Sequence, residues 1–134
     1  MRTTPTDAYS QVNKLAMSPR AAEAEAFTKA ARLLQQARQS TFDYDDYAAA
    51  LRFNQELWTI IQAEQALVSP SDENSLSPDL RRDALNLSLF VDKQTIKALS
   101  DPDVGRLDAL IEINRSMARG LTPRINPAVL SPVT

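Results

Sequence analysis

The densest group of chemically useful side chains is Asp43, Asp45 and Asp46, three carboxylates within four positions, beside Tyr44 and Tyr47. Carboxylates at that density are ligands for hard cations such as calcium. A calcium loop also needs a glycine at its sharp turn and a glutamate at its twelfth position, and neither follows Asp43. The three acids therefore read as a solvated helix start, placed where a helix dipole favours negative charge. Tyr44 and Tyr47 then form either core or a patch that faces a partner. Other chemistry is restricted by what the chain lacks. It has no histidine, no cysteine and only 2 glycines. Without histidine there is no side chain whose ordinary pKa suits a general base near neutral pH. Without cysteine there is no thiol nucleophile, no disulfide and almost no route to a structural zinc site. Two glycines cannot build a Gly-rich phosphate cradle in the usual way. Carboxylate, lysine, serine and tyrosine chemistry remains, and each needs a shaped pocket. We assign no catalytic residue, no metal and no cofactor, and expect a protein that works by binding another protein rather than an enzyme.

The candidate binding residues follow from type and position. Trp58 is the only tryptophan. It is either core or an anchor in a partner groove, because tryptophan is enriched at interface hot spots, and Leu57 stands next to it. Asn54 lies one turn earlier on the same apolar stripe, where a polar side chain needs a hydrogen-bond partner. Asn114 poses the same question near the C-terminus. Arg20 follows Ser18-Pro19, a helix-start signal, and is a candidate to pair with a carboxylate of a partner or of this chain. Arg81-Arg82 is the only adjacent basic pair, and Asp79 and Asp83 flank it. With a net charge of −2 and pI near 5.1, the pair reads as a solvated helix face. A chain that grips nucleic acid by its backbone carries a basic stripe instead.

These residues sit on elements that the prolines punctuate. The 134 residues suit one domain. The balance of 43% hydrophobic and 24% charged residues is that of a globular chain, not a disordered one. No apolar run approaches the roughly 18 residues of a membrane span, and no apolar segment behind the N-terminus marks a secretory signal. Pro5, Pro19, Pro78 and Pro102 each suit a first helical turn, with Ser18, Ser77 and Asp101 as caps.

The spacing predicts about five helices with antiparallel neighbours. A first is expected over about Asp7–Met17, and a second over Pro19–Gln39 with Phe27, Ala30, Ala31, Leu34 and Ala37 inward. A third is expected over about Asp43–Ala66. Its stripe is Tyr47, Leu51, Asn54, Trp58 and Ile61, widened by Ala50, Leu57 and Ile60. A polar loop over Ser69–Ser77 comes next, with Leu76 placed to staple the following helix. The fourth, about Pro78–Leu99, carries two stripes. One is Leu80-Ala84-Leu87-Val91, with Phe90 near it, and the other is Leu85-Leu89-Ile96-Leu99. Two stripes predict a central helix covered on both sides, unless the second is free to line a groove. The fifth is expected from Pro102 to Arg119, with Leu107, Leu110, Ile111, Asn114, Met117 and Leu121 inward and Gly120 as C-cap. No segment alternates with period two. The expected fold is therefore all-α, a helical bundle over residues 1–121 with a disordered Pro-rich tail over 122–134.

The identities of certain residues go beyond periodicity. They are Ala8-Tyr9 and Val12; Ser18-Pro19-Arg20 with Glu23 and Glu25; Phe27; and Asn54 with Leu57-Trp58. After them come Asn74-x-Leu76, Leu80-Arg81, and Leu85-x-Leu87-x-x-Phe90-Val91 with Thr95. The series ends with Leu107-x-x-Leu110-Ile111-x-Ile113-Asn114, Met117 and Gly120-Leu121. In this order the chain resembles the FlaF family, flagellar biosynthesis regulators of alphaproteobacteria, over about Ala8–Leu121. Phe90 stands where the family more often has tryptophan. The resemblance implies a cytoplasmic, non-enzymatic protein that binds flagellin as an export chaperone and promotes its synthesis and secretion, opposite a second regulator, FlbT. It implies flagellin as partner, through amphipathic terminal segments that are poorly ordered before assembly and suit helix-in-groove binding. The alternatives are an adaptor of FlbT, or an RNA-binding regulator of flagellin translation. Direct nucleic-acid or membrane contact is not expected. The partner-facing candidates are Arg20, Asn54, Leu57, Trp58, Leu85, Leu89 and Phe90.

Overall fold

The structure, a computed structural model, describes residues 19–67 and 77–121 and, before them, Pro5 alone. The expected first helix, the Ser18 cap, the Leu76 staple, the Ser69–Leu76 part of the loop and the tail lie outside the described residues. Those residues carry four α-helices, which correspond to the second to fifth expected: α1 (Pro19–Gln39), α2 (Tyr44–Leu67), α3 (Pro78–Ser100) and α4 (Asp108–Leu121). A 3₁₀ turn over Val104–Leu107 precedes α4. Among the described residues there is no strand, and no helix is long and apolar enough to cross a membrane.

The helix starts obey local chemistry. Asp43 caps α2, its Oδ1 accepting the backbone N–H groups of Asp45 at 2.8 Å and Asp46 at 3.2 Å. Its neighbours are thus first-turn acids on a positive helix end. Ser77 caps α3 by accepting from the Leu80 N–H at 3.3 Å, with Pro78 in the first turn, where a missing donor costs nothing. The expected helix start at Pro102 is wrong. Asp101 closes α3 instead, its N–H bonding the Lys97 carbonyl. Asp103 is the cap that matters, taking the Gly105 N–H at 2.9 Å to open the 3₁₀ turn. The α-helix proper begins only at Asp108. Gly120 does not end the last helix either, since α4 continues through it to Leu121.

The four helices form an up-down-up-down bundle. Consecutive helices pack side by side, and α1 closes the ring against α4. Each neighbouring pair is antiparallel. In the α1–α2 pair Phe27 meets Trp58, with ring centroids 5.3 Å apart and planes at 71°. In the α2–α3 pair the Tyr47 hydroxyl, at the start of α2, donates to the Ala98 carbonyl at the end of α3 at 2.7 Å. In the α1–α4 pair Arg38 at the end of α1 forks onto the Asp108 carboxylate at the start of α4. Each of these charges also complements the dipole of its own helix. The pairing holds the Arg38 guanidinium above its ordinary pKa, by hydrogen bonding first and charge second.

The expected inward stripes of α1, α2 and α4 are all buried except Ile60, which is half-buried. They join with Val91, Ala84 and Ala98 of α3 in one core. The expectation of a central α3 fails. Its buried side chains are Ala84, Ser88, Val91, Thr95 and Ala98, all on one face. In a four-helix ring every helix has an outer face, and α3 keeps apolar residues on it.

Candidate functional site

Four of the large hydrophobic residues left exposed lie on that outer face: Leu85 (41% exposed), Leu89 (66%), Phe90 (42%) and Ile96 (63%). At 100° per residue, Leu85, Leu89 and Ile96 fall within about 40° of one another, and Phe90 lies about 100° or more further round, on the other flank of the outer face. Charged residues interleave with the stripe: Asp92, Lys93 and Lys97 are exposed among its members. Such a surface is an apolar ridge with a polar margin. Near the C-terminal end of α3, Tyr44 and Phe42 are exposed as well. The Tyr44 hydroxyl donates to the Leu99 carbonyl at 3.2 Å.

The two tyrosines beside the acids separate. Tyr44 is on the surface. Tyr47 is buried against it, its ring 6.1 Å from that of Tyr44 and 5.3 Å from that of Phe42. The Tyr47 hydroxyl donates to Ala98 and accepts the Asp103 N–H at 3.2 Å. Burial pushes its pKa above the ordinary value, and the backbone hydrogen bond at Asp103 offsets part of that rise. The connection it holds is further fixed by Arg106, which donates to the Asp101 carbonyl at 2.8 Å and to its carboxylate at 2.5 Å.

The seven candidate residues do not form one surface. Leu85, Leu89 and Phe90 share the outer side of α3. Asn54, Leu57 and Trp58 are core residues of α2, fully buried or nearly so. Arg20 is half-buried in the first turn of α1. Trp58 and Asn54 belong to a buried polar chain that crosses the bundle. The Trp58 indole N–H donates to Asn114 Oδ1 at 2.9 Å, and Asn114 Nδ2 donates to Asn54 Oδ1 at 2.7 Å. Indole is a donor only, so it fixes which way the Asn114 amide points, and Asn114 in turn fixes Asn54. The sequence requires a partner for each asparagine without naming it. Side chains serve because α2 and α4 face each other across the bundle, where long polar groups meet before backbones do.

Ile96 and Phe42 are exposed large hydrophobic residues outside the candidates named from the sequence. Ile96 was visible there as part of a second stripe. Phe42 lies between two helices and belongs to neither apolar stripe, so periodicity does not mark it.

The arrangement defines a class: a small helical bundle whose assembled features are a core and an exposed apolar helix face, with no group of three or more His, Cys, Asp or Glu among the described residues placed to hold a metal. Residues 5–121 match the family model of flagellar protein FlaF, and the chain belongs to the FlaF family of flagellar proteins. None of the curated proteins and none of the solved structures compared with the chain is similar enough to match it.

Proposed function

We propose that this protein is a non-enzymatic, cytoplasmic flagellin chaperone that promotes flagellin synthesis and export, binding the helical terminal region of flagellin along the outer face of α3. The observation that carries the reading is the exposure of Leu85, Leu89, Phe90 and Ile96 together on one helix whose opposite face is already packed. Exposed apolar residues grouped on one side of a soluble helix are costly to keep unless a partner covers them. An amphipathic segment that orders on binding presents its own apolar positions every three or four residues and fits such a ridge. The flagellar family supports the choice of flagellin over an unrelated helix. The acidic balance supports a protein partner over messenger RNA.

The test mixes purified protein with purified flagellin and measures complex mass and affinity, first for the parent and then for Leu89→Asp. A one-to-one complex at micromolar concentration is expected, lost in the variant while its melting stays unchanged. A parent that forms no complex, or a folded Leu89→Asp that binds as the parent does, overturns the reading.

A further inference from the structure

A second surface lies away from α3, between α1 and α2. A groove of about 420 Å³ runs between these helices, floored by Leu33, Ala37, Ala49 and Phe53. It exists because alanines face each other where the helices approach, so the floor is apolar but not filled. Its two ends carry opposite charge. Lys29 and Phe53 line one end, the Lys29 ammonium 5.6 Å from the centre of the Phe53 ring. Asp46 lines the other, one turn from the cap of α2. Among the described residues no carboxylate lies within ion-pair distance of Lys29. Its cation is held at the rim over an aromatic face, a weak and partly hydrated contact that leaves its donors available.

We infer that this groove is a second docking site, for one amphipathic helix lying parallel to α2 with its N-terminal end at Asp46 and a carboxylate toward its C-terminal end at Lys29. The dimensions fit such an occupant. Phe53 follows Asp46 by seven residues, about 10 Å along the axis. That is the span of apolar side chains at i, i+4 and i+7 on a partner helix. The charges set its direction. The positive N-terminal end of a helix dipole is favoured beside Asp46, and the negative C-terminal end beside Lys29. A side-chain carboxylate one turn past the last apolar anchor then reaches the ammonium. The site goes beyond the flagellin reading, since it shares no residue with the outer face of α3, and the two faces together would let one bundle hold two helices at once.

The test uses two synthetic peptides of about 18 residues, long enough to be helical. One carries leucines at i, i+4 and i+7 and a glutamate at i+11. The other is its sequence reversal. Binding is read by fluorescence polarisation against the full chain. The forward peptide is expected to bind with Kd below about 100 µM, and the reversed one about threefold more weakly. Ala49→Phe, which fills the floor, is expected to abolish binding. Lys29→Glu, at the exposed rim, is expected to weaken the forward peptide about fivefold and to regain binding when the peptide glutamate becomes lysine. The titrations are run in a Leu89→Asp background, which removes the outer face of α3 as a competing site: peptide binding sensitive to Ala49→Phe is expected to persist there, so failure here and failure of the flagellin reading stay separate. No binding of the forward peptide at about 1 mM overturns the inference. So does equal binding of the two peptides, undiminished binding to a folded Ala49→Phe, or a Lys29→Glu variant that does not discriminate between glutamate and lysine peptides.

Discussion

Trp58 on α2 and Asn114 on α4, 56 residues apart in the chain, are joined in the buried interior by a 2.9 Å hydrogen bond from the indole N–H to the amide oxygen. Asn114 passes the chain of donors on to Asn54, and there it stops. Asn54 Nδ2 is buried with no hydrogen-bond partner. A buried donor left unmade costs about 1–3 kcal/mol, so the network is stabilising through its middle and costly at its end.

That asymmetry predicts the outcome of a double-mutant cycle. Asn114→Leu strands the Trp58 N–H and the Asn54 amide together and is expected to cost about 2–4 kcal/mol in urea unfolding. Asn54→Leu removes the orphan donor but strands Asn114 Nδ2, so the two effects partly cancel and the cost is expected to stay below about 2 kcal/mol. The double variant is expected to cost less than the sum of the singles by about 1 kcal/mol or more. Strict additivity would show that the amides do not interact.

Tyr47 sets a second expectation, in pH. Its phenol is raised above the ordinary value, chiefly by burial. Above about pH 10 the unfolded chain releases this proton while the folded chain retains it, so the unfolded state holds fewer protons and stability falls as pH rises. The contribution is fully present below pH 10 and is lost as the pH passes through the raised folded value. Thermal melts from pH 8 to 11 are expected to show a steeper alkaline loss in the parent than in Tyr47→Phe. Tyr47→Phe itself is expected to be less stable at pH 8 by about 1 kcal/mol or more, because the Ala98 carbonyl and the Asp103 N–H lose their partner. Parallel curves would mean that Tyr47 does not titrate in this range.

Much of this architecture was legible in the residues, and the misses have physical causes. Pro19, Asp43 and Ser77 marked helix starts because caps and prolines act locally, within one turn. The stripe from Tyr47 to Ile61 marked the inner side of α2 because burial follows the helix period. The start at Pro102 misled because two aspartates flank that proline. Asp101 spends its N–H closing α3, and only Asp103 is placed to cap the 3₁₀ turn. The second stripe of α3 could not be resolved because periodicity shows which residues share a side, not whether anything covers it. The partner of Asn114 was hidden because it depends on which helices stand across the bundle from each other. The α1–α2 groove was hidden because Ala37 and Ala49 look like ordinary helix formers until their opposition leaves space.

The two sides of α3 differ in what a charge does to them. Val91 is fully buried and Leu89 mostly exposed, two positions apart on the same helix. Val91→Asp puts a carboxylate into the core and is expected to cost several kcal/mol, enough to unfold the domain. Leu89→Asp is expected to shift stability by no more than about 0.5 kcal/mol. Circular dichroism melts decide the point. A Leu89→Asp variant that loses its helix signal would place Leu89 in the core and remove the exposed face on which the flagellin reading stands.

Gly120 sets two effects against each other, and their sizes predict which wins. It lies inside α4 rather than after it, so its backbone is already helical. Alanine there gains helix propensity of up to about 1 kcal/mol, less near a helix end where fraying is tolerated. Against this, a Cβ at Gly120 would sit 3.2 Å from Leu80 Cδ1, a few tenths of an ångström too close. The colliding atom is the tip of a leucine that is only half-buried, in the first turn of α3. Such a side chain relieves the contact by a small rotation, at a cost below the propensity gain. Gly120→Ala is therefore expected to stabilise the bundle by about 0.5 kcal/mol, read as a shift in urea midpoint with unchanged slope. In a Leu80→Ala background the collision is gone, and the gain is expected to rise toward the full propensity value. A loss of stability from Gly120→Ala that Leu80→Ala does not relieve would show that the glycine is there for its backbone and not for the close approach of α3.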